Sequence, residues 1–254
     1  MSEKVKQKEL TYELNNEEKT ARVNKCVKHR KAFTLKIPDK ITHNGNTYTV
    51  TSIESYAFAQ HFFLKDITIP DSVTEIGEAV FANCYRLERV EIQGSVAEIK
   101  RGTFMGCESL KSIVIPDGVK RIESRAFEFC KSLEHVSIPD SVTYIGDGVF
   151  TDCTCLKSLT IPDGVTRVEG GTFWGCSNLE RIEIPDSVER IGEGALEGCN
   201  RLEKIAISGL NRFEVSETGV ITISGSLNSI QLCNRLMLLG RKETITPKQT
   251  AQNS

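Results

Sequence analysis

From residue 64 to residue 202 the apolar positions of the chain recur on one fixed step. Leu64, Leu87, Leu110, Leu133, Leu156, Leu179 and Leu202 each stand 23 residues after the one before. Phe58, Phe81, Phe104, Phe127, Phe150 and Phe173 keep the same step, with Leu196 at the next position, and so do Cys84, Cys107, Cys130, Cys153, Cys176 and Cys199. Each ladder leucine is followed by apolar residues, as in Leu110, Ile113 and Ile115, so a unit reads L-x-x-I-x-I-P-D-S/G-V-x-x-I, a small-residue stretch, then F-x-x-C. Alternation of Ile113 and Ile115 with Ser112 and Val114 has period two and predicts a short strand with one face inward. The Pro-Asp pairs at Pro70, Pro116, Pro139, Pro162 and Pro185 end those strands, because proline cannot donate to a ladder. Val119 and Ile122 return to the core. Ala126, Phe127 and Cys130 have the offsets of a helical turn and predict a convex outer wall of short helical turns, with Glu128 facing out.

A repeat of this length and opening is the mark of a leucine-rich repeat, a unit that cannot bury its own apolar residues and must stack on its neighbours. The predicted fold class is therefore α/β: a leucine-rich-repeat solenoid with short parallel strands on its concave face and helical turns on its convex face. At the front, Leu10 to Leu14 alternates around Tyr12, Asn15-Asn16 turns, and Thr20 to Val27 returns, which predicts a β-hairpin cap over residues 1–40. Asn44-Gly45, the dipeptide favoured in type I′ turns, opens a solenoid assigned to residues 41–224. Phe213 to Val215 and Val220 to Ile223 alternate and are expected to cover the open end. Residues 225–254 are read as a C-terminal cap and a polar tail, disordered from Pro247 onward.

The stretch Gly45-Asn46-Thr47-Tyr48-Thr49-Val50-Thr51-Ser52-Ile53, followed by Ala57-Phe58, resembles the opening of BspA-like leucine-rich repeats. Ile69-Pro70-Asp71-Ser72-Val73-Thr74-Glu75-Ile76-Gly77 and Leu133 to Cys153 are similar to that family's consensus, and the likeness spans residues 35 to 224. The resemblance implies a non-enzymatic, adhesin-like binding scaffold of the kind displayed by mucosal bacteria and some protists. It brings no catalytic residues. The chain departs from the family pattern at His61, where a cysteine is usual, at Gln93-Gly94, where Pro-Asp is usual, and in lacking an export signal.

Composition narrows the function further. Lysine and arginine number 32 against 34 acidic residues, a net charge of −2 that gives nucleic acid or anionic membrane no purchase. Met1 to Glu9 is charged, and no stretch is long and apolar enough to span a membrane, so the chain as it stands is expected in the cytoplasm. Cell-surface or secreted placement is the alternative if an export segment has been removed. Nine cysteines without a short-spaced frame read as buried thiols rather than a disulfide scaffold, and the lone Cys153-x-Cys155 lacks a second ligand pair for zinc. The four histidines are scattered, the run around Lys25, Lys28, Arg30 and Lys31 reads as a solvated face, and no cofactor is implied.

The positions that packing leaves free are the outward residues of the concave strands, and these carry the candidate partner site. They are Arg89 and Glu91, Ser112 and Val114, His135 and Ser137, Ser158 and Thr160, Arg181 and Glu183. Small and apolar residues in the middle, framed by Arg-Glu pairs, have the layout of an interface core and rim for a protein or glycan ligand. Self-assembly of the scaffold is the alternative. Phe129 and Trp174 offer a second, convex contact.

Overall fold

The computed structural model describes residues 3–27 and 30–202, together with the backbone of 204–207, 211–215 and 221–226. The chain opens with β1 (Glu3–Gln7), β2 (Leu10–Asn15), β3 (Thr20–Cys26), β4 (Phe33–Lys36), β5 (Lys40–His43) and β6 (Asn46–Ile53). Each coil then contributes two strands. They are β7 (Leu64–Ile69) and β8 (Glu75–Ile76), β9 (Arg89–Ile92) and β10 (Glu98–Ile99), β11 (Ser112–Val114) and β12 (Arg121–Ile122). Next come β13 (His135–Ser137) and β14 (Tyr144–Ile145), β15 (Ser158–Thr160) and β16 (Arg167–Val168), β17 (Arg181–Ile184) and β18 (Arg190–Ile191). The last described strands are β19 (Lys204–Ile207), β20 (Asn211–Val215) and β21 (Ile221–Ser226).

The odd-numbered coil strands stack in parallel as a first wall, the ladder expected to be concave, and the two-residue strands stack as a second wall. Register follows the repeat directly: Ile113 lies beside Val136, and Ile122 beside Ile145, each 23 residues on. Alternation does the rest. Ile113 and Ile115 are buried while Ser112 and Val114 face solvent.

The helical turns expected on the convex side are absent, and no helix forms among the described residues. The reason lies in the backbone hydrogen bonds. Arg125, Phe127 and Phe129 donate their N–H to Asp147, Val149 and Thr151 of the next coil at 2.8–2.9 Å, while Ala126, Glu128 and Cys130 donate three residues back. A helix would turn every N–H back along its own axis and leave nothing to join the coils on this side. Two ladders of left-handed residues enforce the alternative: Tyr56, Ala79, Gly102, Arg125, Gly148, Gly171 and Gly194, and Gln60, Asn83, Gly106, Phe129, Asp152, Gly175 and Gly198. The turn wall is thus a third coil-to-coil ladder. Glu128, expected outside, has its side chain only 13% exposed, and burial pushes its carboxyl above the usual range.

Inside the three walls, the rings of Phe58, Phe81, Phe104, Phe127, Phe150 and Phe173 form one stack with centroids 5.3–5.7 Å apart. All six are fully buried beside the leucine ladder. Leu196 ends the stack at one side, and buried His61 sits edge-on to Phe58 at the other.

The front is closed by a curled sheet in the order β1-β2-β3-β6-β5. β2 and β3 form the expected hairpin, and Asn44 and Gly45 take the positive φ values of a two-residue turn between β5 and β6. β1 has no sequence signature, since Glu3-Lys4-Val5-Lys6-Gln7 is charged and buries only Val5. The sheet curls until its two edges meet: Gln7 donates to the Thr42 carbonyl at 2.7 Å, and Glu3 pairs with His43 at 2.9 Å. At the back, β21 runs antiparallel to β18 and β20 to β21, extending the second wall past the last described coil. The expected disordered tail from Pro247 lies outside the described residues.

Phe127→Ala should cost about 3 to 5 kcal/mol in a denaturant melt, because the ring has stacked neighbours on both sides that cannot collapse into the space. Lys111→Ala, exposed on the first wall, should stay within about 0.5 kcal/mol. Equal losses would mean the register is wrong. Gly102→Ala tests the turn wall separately: the nearest atom to the new Cβ is 3.8 Å away, so the expected loss of about 1 kcal/mol is the left-handed backbone alone.

Candidate binding surface

All ten residues singled out in the sequence stand on the outer face of the first wall, and all are exposed except half-buried Glu183. Pairing brings some of them together. Ser112 lies opposite His135 and Val114 opposite Ser137, while Ser158 lies opposite Arg181 and Thr160 opposite Glu183. Thr160 Oγ1 donates to Glu183 at 2.8 Å and the Arg181 guanidinium binds the same carboxylate, which together hold it below the usual range. Others are not joined. No backbone hydrogen bond crosses from β9 to β11 or from β13 to β15, so the wall is divided into three panels among the described residues.

The first of these gaps is an open cleft of about 610 Å³, lined by Arg89, Val90, Glu91 and Ile92 on one side and by Lys111 to Val114 with Pro116 on the other. Beside it the turn departs from the repeat at Gly94. In the Leu64, Leu110, Leu133, Leu156 and Leu179 coils the valine N–H after the turn bonds three residues back to the proline carbonyl. In the Leu87 coil, Val96 bonds instead to the Gly94 carbonyl, and Gln93 donates to Ile69 of the preceding coil at 2.9 Å. A Cβ on Gly94 would sit 2.0 Å from the Val73 carbonyl oxygen, so only glycine permits this approach. The turn of this coil is drawn onto its predecessor.

Sequence reasoning passed over the residues directly after the ladder leucines. Lys65, Glu88, Lys111, Glu134 and Lys157 alternate in sign along the edge of the same wall. Lys65 pairs with Glu88 at 3.5 Å and Lys157 with Glu134 at 2.9 Å, leaving Lys111 between them without an ion pair. The alternation was readable at the 23-residue step, but not which partner each charge would choose.

A family model for the BspA type leucine rich repeat region matches in six copies over residues 30–155 and 120–242. The chain belongs to this family. Among solved structures it is similar to a leucine rich repeat protein of T. pallidum, with 30% identity and a TM-score of 0.68 over 79% of this chain and 91% of that one. A leucine-rich repeat protein from Bacteroides ovatus is 34% identical with a TM-score of 0.63 over 76% of this chain, which spans 56% of that longer one. The pneumococcal vaccine antigen PcpA, 19% identical over 82% of this chain and 71% of its own, with a TM-score of 0.54, shares the fold alone. No curated protein matches the chain. BspA-type repeat proteins are generally non-enzymatic interaction or adhesin-like scaffolds. No helix among the described residues is long and apolar enough to cross a membrane.

Within this BspA-type chain the cysteine ladder has a structural role sharper than that of small apolar filler. Cys84, Cys107, Cys130, Cys153, Cys176 and Cys199 each donate Sγ–H to the carbonyl of the phenylalanine 26 residues earlier, at 3.1–3.2 Å. Each cysteine therefore pins the backbone of the preceding coil behind its ring. Burial pushes Cys84 and Cys199 up to about 12, and Cys107, Cys130, Cys153 and Cys176 also rise well above the ordinary thiol value. Such thiols are poor nucleophiles. Cys155 is only half-buried, and no cluster of metal-binding side chains forms among the described residues. Phe129 and Trp174 stand 40% and 42% exposed on the turn wall, in separate coils.

Native protein treated with a thiol reagent should label Cys155 first, while Cys107, Cys130 and Cys153 react only on unfolding. Rapid labelling of those three, read by mass spectrometry of tryptic peptides, would contradict their donor role.

Proposed function

We propose that this chain is a non-catalytic scaffold that engages a protein partner through the outer face of its first wall. One observation carries the reading. Val114 is 72% exposed at the middle of a face whose other outward side chains, Ser112, His135, Ser137, Ser158 and Thr160, take no part in the core. An apolar residue left in water, with Ser137 opposite it on one side and Arg89, Glu91 and Lys111 around the cleft on the other, and with Arg181 and Glu183 farther along the wall, has the order of an interface centre and its rim. The surface carries both signs of charge in near balance, which supports a protein ligand over a polyanion.

A partner bound here should lose affinity for Arg89→Glu and Arg181→Glu mainly through slower association, and for His135→Ala through lost central contact. Lys131→Glu, on the turn wall and paired there with Glu108 at 2.8 Å, changes charge equally and should leave affinity unchanged. Surface plasmon resonance with the four variants beside their thermal melts separates contact from folding. Normal binding by the three first-wall variants together with loss in Lys131→Glu would move the site to the turn wall.

A further inference from the structure

We propose that the cleft between β9 and β11 anchors an extended peptide segment that presents a carboxylate beside an aliphatic or aromatic side chain. The inference rests on the first wall being the binding face and names the ligand chemistry of one place on it.

The argument begins with which rim groups are already satisfied. Each carboxylate around the cleft has a donor from the chain itself: Asp66 accepts from Thr34 at 3.0 Å, Glu88 pairs with Lys65, and Glu91 accepts from Gln93 at 2.9 Å. The cations do not. Among the described residues Lys111 makes no ion pair, lying near Glu134 whose carboxylate is bound by Lys157, and Arg89, with its side chain 75% exposed, reaches Glu91 only at 4.0 Å. The hydrogen-bonding capacity left open at this rim is therefore that of a donor with positive charge, and it calls for an anionic acceptor. Between the two cations the accessible lining turns apolar at exposed Val114, with half-buried Ile92 and Pro116 beside it. A carboxylate at the rim with an apolar group over Val114 meets both requirements at once.

The chemistry of the rim favours a peptide over other carriers of a carboxylate. β9 is paired to β7 and β11 to β13, and no backbone hydrogen bond crosses between residues 88–93 and 111–116, yet the two strands stay too close to admit a third between them. The ligand therefore lies over the cleft and engages it with side chains, and a peptide sets a carboxylate beside an aliphatic or aromatic group on neighbouring residues.

The test uses the full chain and a phage-displayed library of random peptides, with enriched peptides synthesised and their affinities measured by fluorescence anisotropy. Enriched sequences should share an Asp or Glu next to an apolar residue. Lys111→Glu and Val114→Asp, both at exposed positions, should each weaken binding at least about tenfold, while Lys131→Glu on the turn wall should not. Replacing the peptide's acid by lysine should restore affinity for Lys111→Glu. Several results would overturn the assignment: no enrichment, enrichment of peptides without an acid, or affinities unchanged by Lys111→Glu and Val114→Asp. Loss in Arg181→Glu without loss in Lys111→Glu or Val114→Asp would remove the cleft but keep the first wall as the binding face, whereas indifference to Lys111→Glu, Val114→Asp and Arg181→Glu alike would remove both. Binding of carboxylated sugars on a glycan array, without any peptide enrichment, would replace the peptide by a glycan.

Discussion

The stack of six buried phenylalanine rings is the contact on which the other features of this solenoid depend. No coil can enclose its own ring, so each ring is buried only by the one above and the one below. Centroid spacings of 5.3–5.7 Å leave the coils close enough for backbone bonding on every side. Aromatic contact of this kind adds to plain area burial, and here it is repeated along the whole array.

Once the coils are held at that spacing, each segment of backbone has to find partners in the neighbouring coil or in its own turn. The two strand walls do so by parallel pairing within panels of neighbouring coils. The turn wall does so by sending alternate N–H groups to the next coil, with left-handed residues keeping the chain from closing into a helix. The phenylalanine carbonyls take a second donor from the cysteines, so the ladder of thiols belongs to the backbone network. In the Phe104 carbonyl both donors are visible, the Cys107 N–H at 3.0 Å and the Cys130 thiol at 3.2 Å.

A fold held from within leaves its outer faces free to vary, which is why a binding role sits comfortably on the first wall. Packing asks nothing of Val114, His135 or Ser158. At Gly94 packing reaches the edge of that wall, because the missing side chain lets a turn close on the coil before it, next to the cleft.

Much of the architecture was legible in the sequence because a stacked repeat writes each contact once per coil. The 23-residue ladders gave the first-wall strands, their register and the buried face, the alternation of Leu10 to Leu14 and Thr20 to Val27 gave the cap hairpin, and Asn44-Gly45 gave the turn between β5 and β6. Tertiary structure alone decided three matters. Ala126, Phe127 and Cys130 have helical offsets, yet the neighbouring coil competes for their backbone N–H groups and wins, a competitor that local periodicity does not contain. β1 forms from charged residues because its edges are met by distant Thr42 and His43. The ten outward residues were placed on one face correctly, but their division into panels, the cleft and the unpaired state of Lys111 depend on spacings between coils, and those are set by how whole turns pack rather than by any residue's own preference.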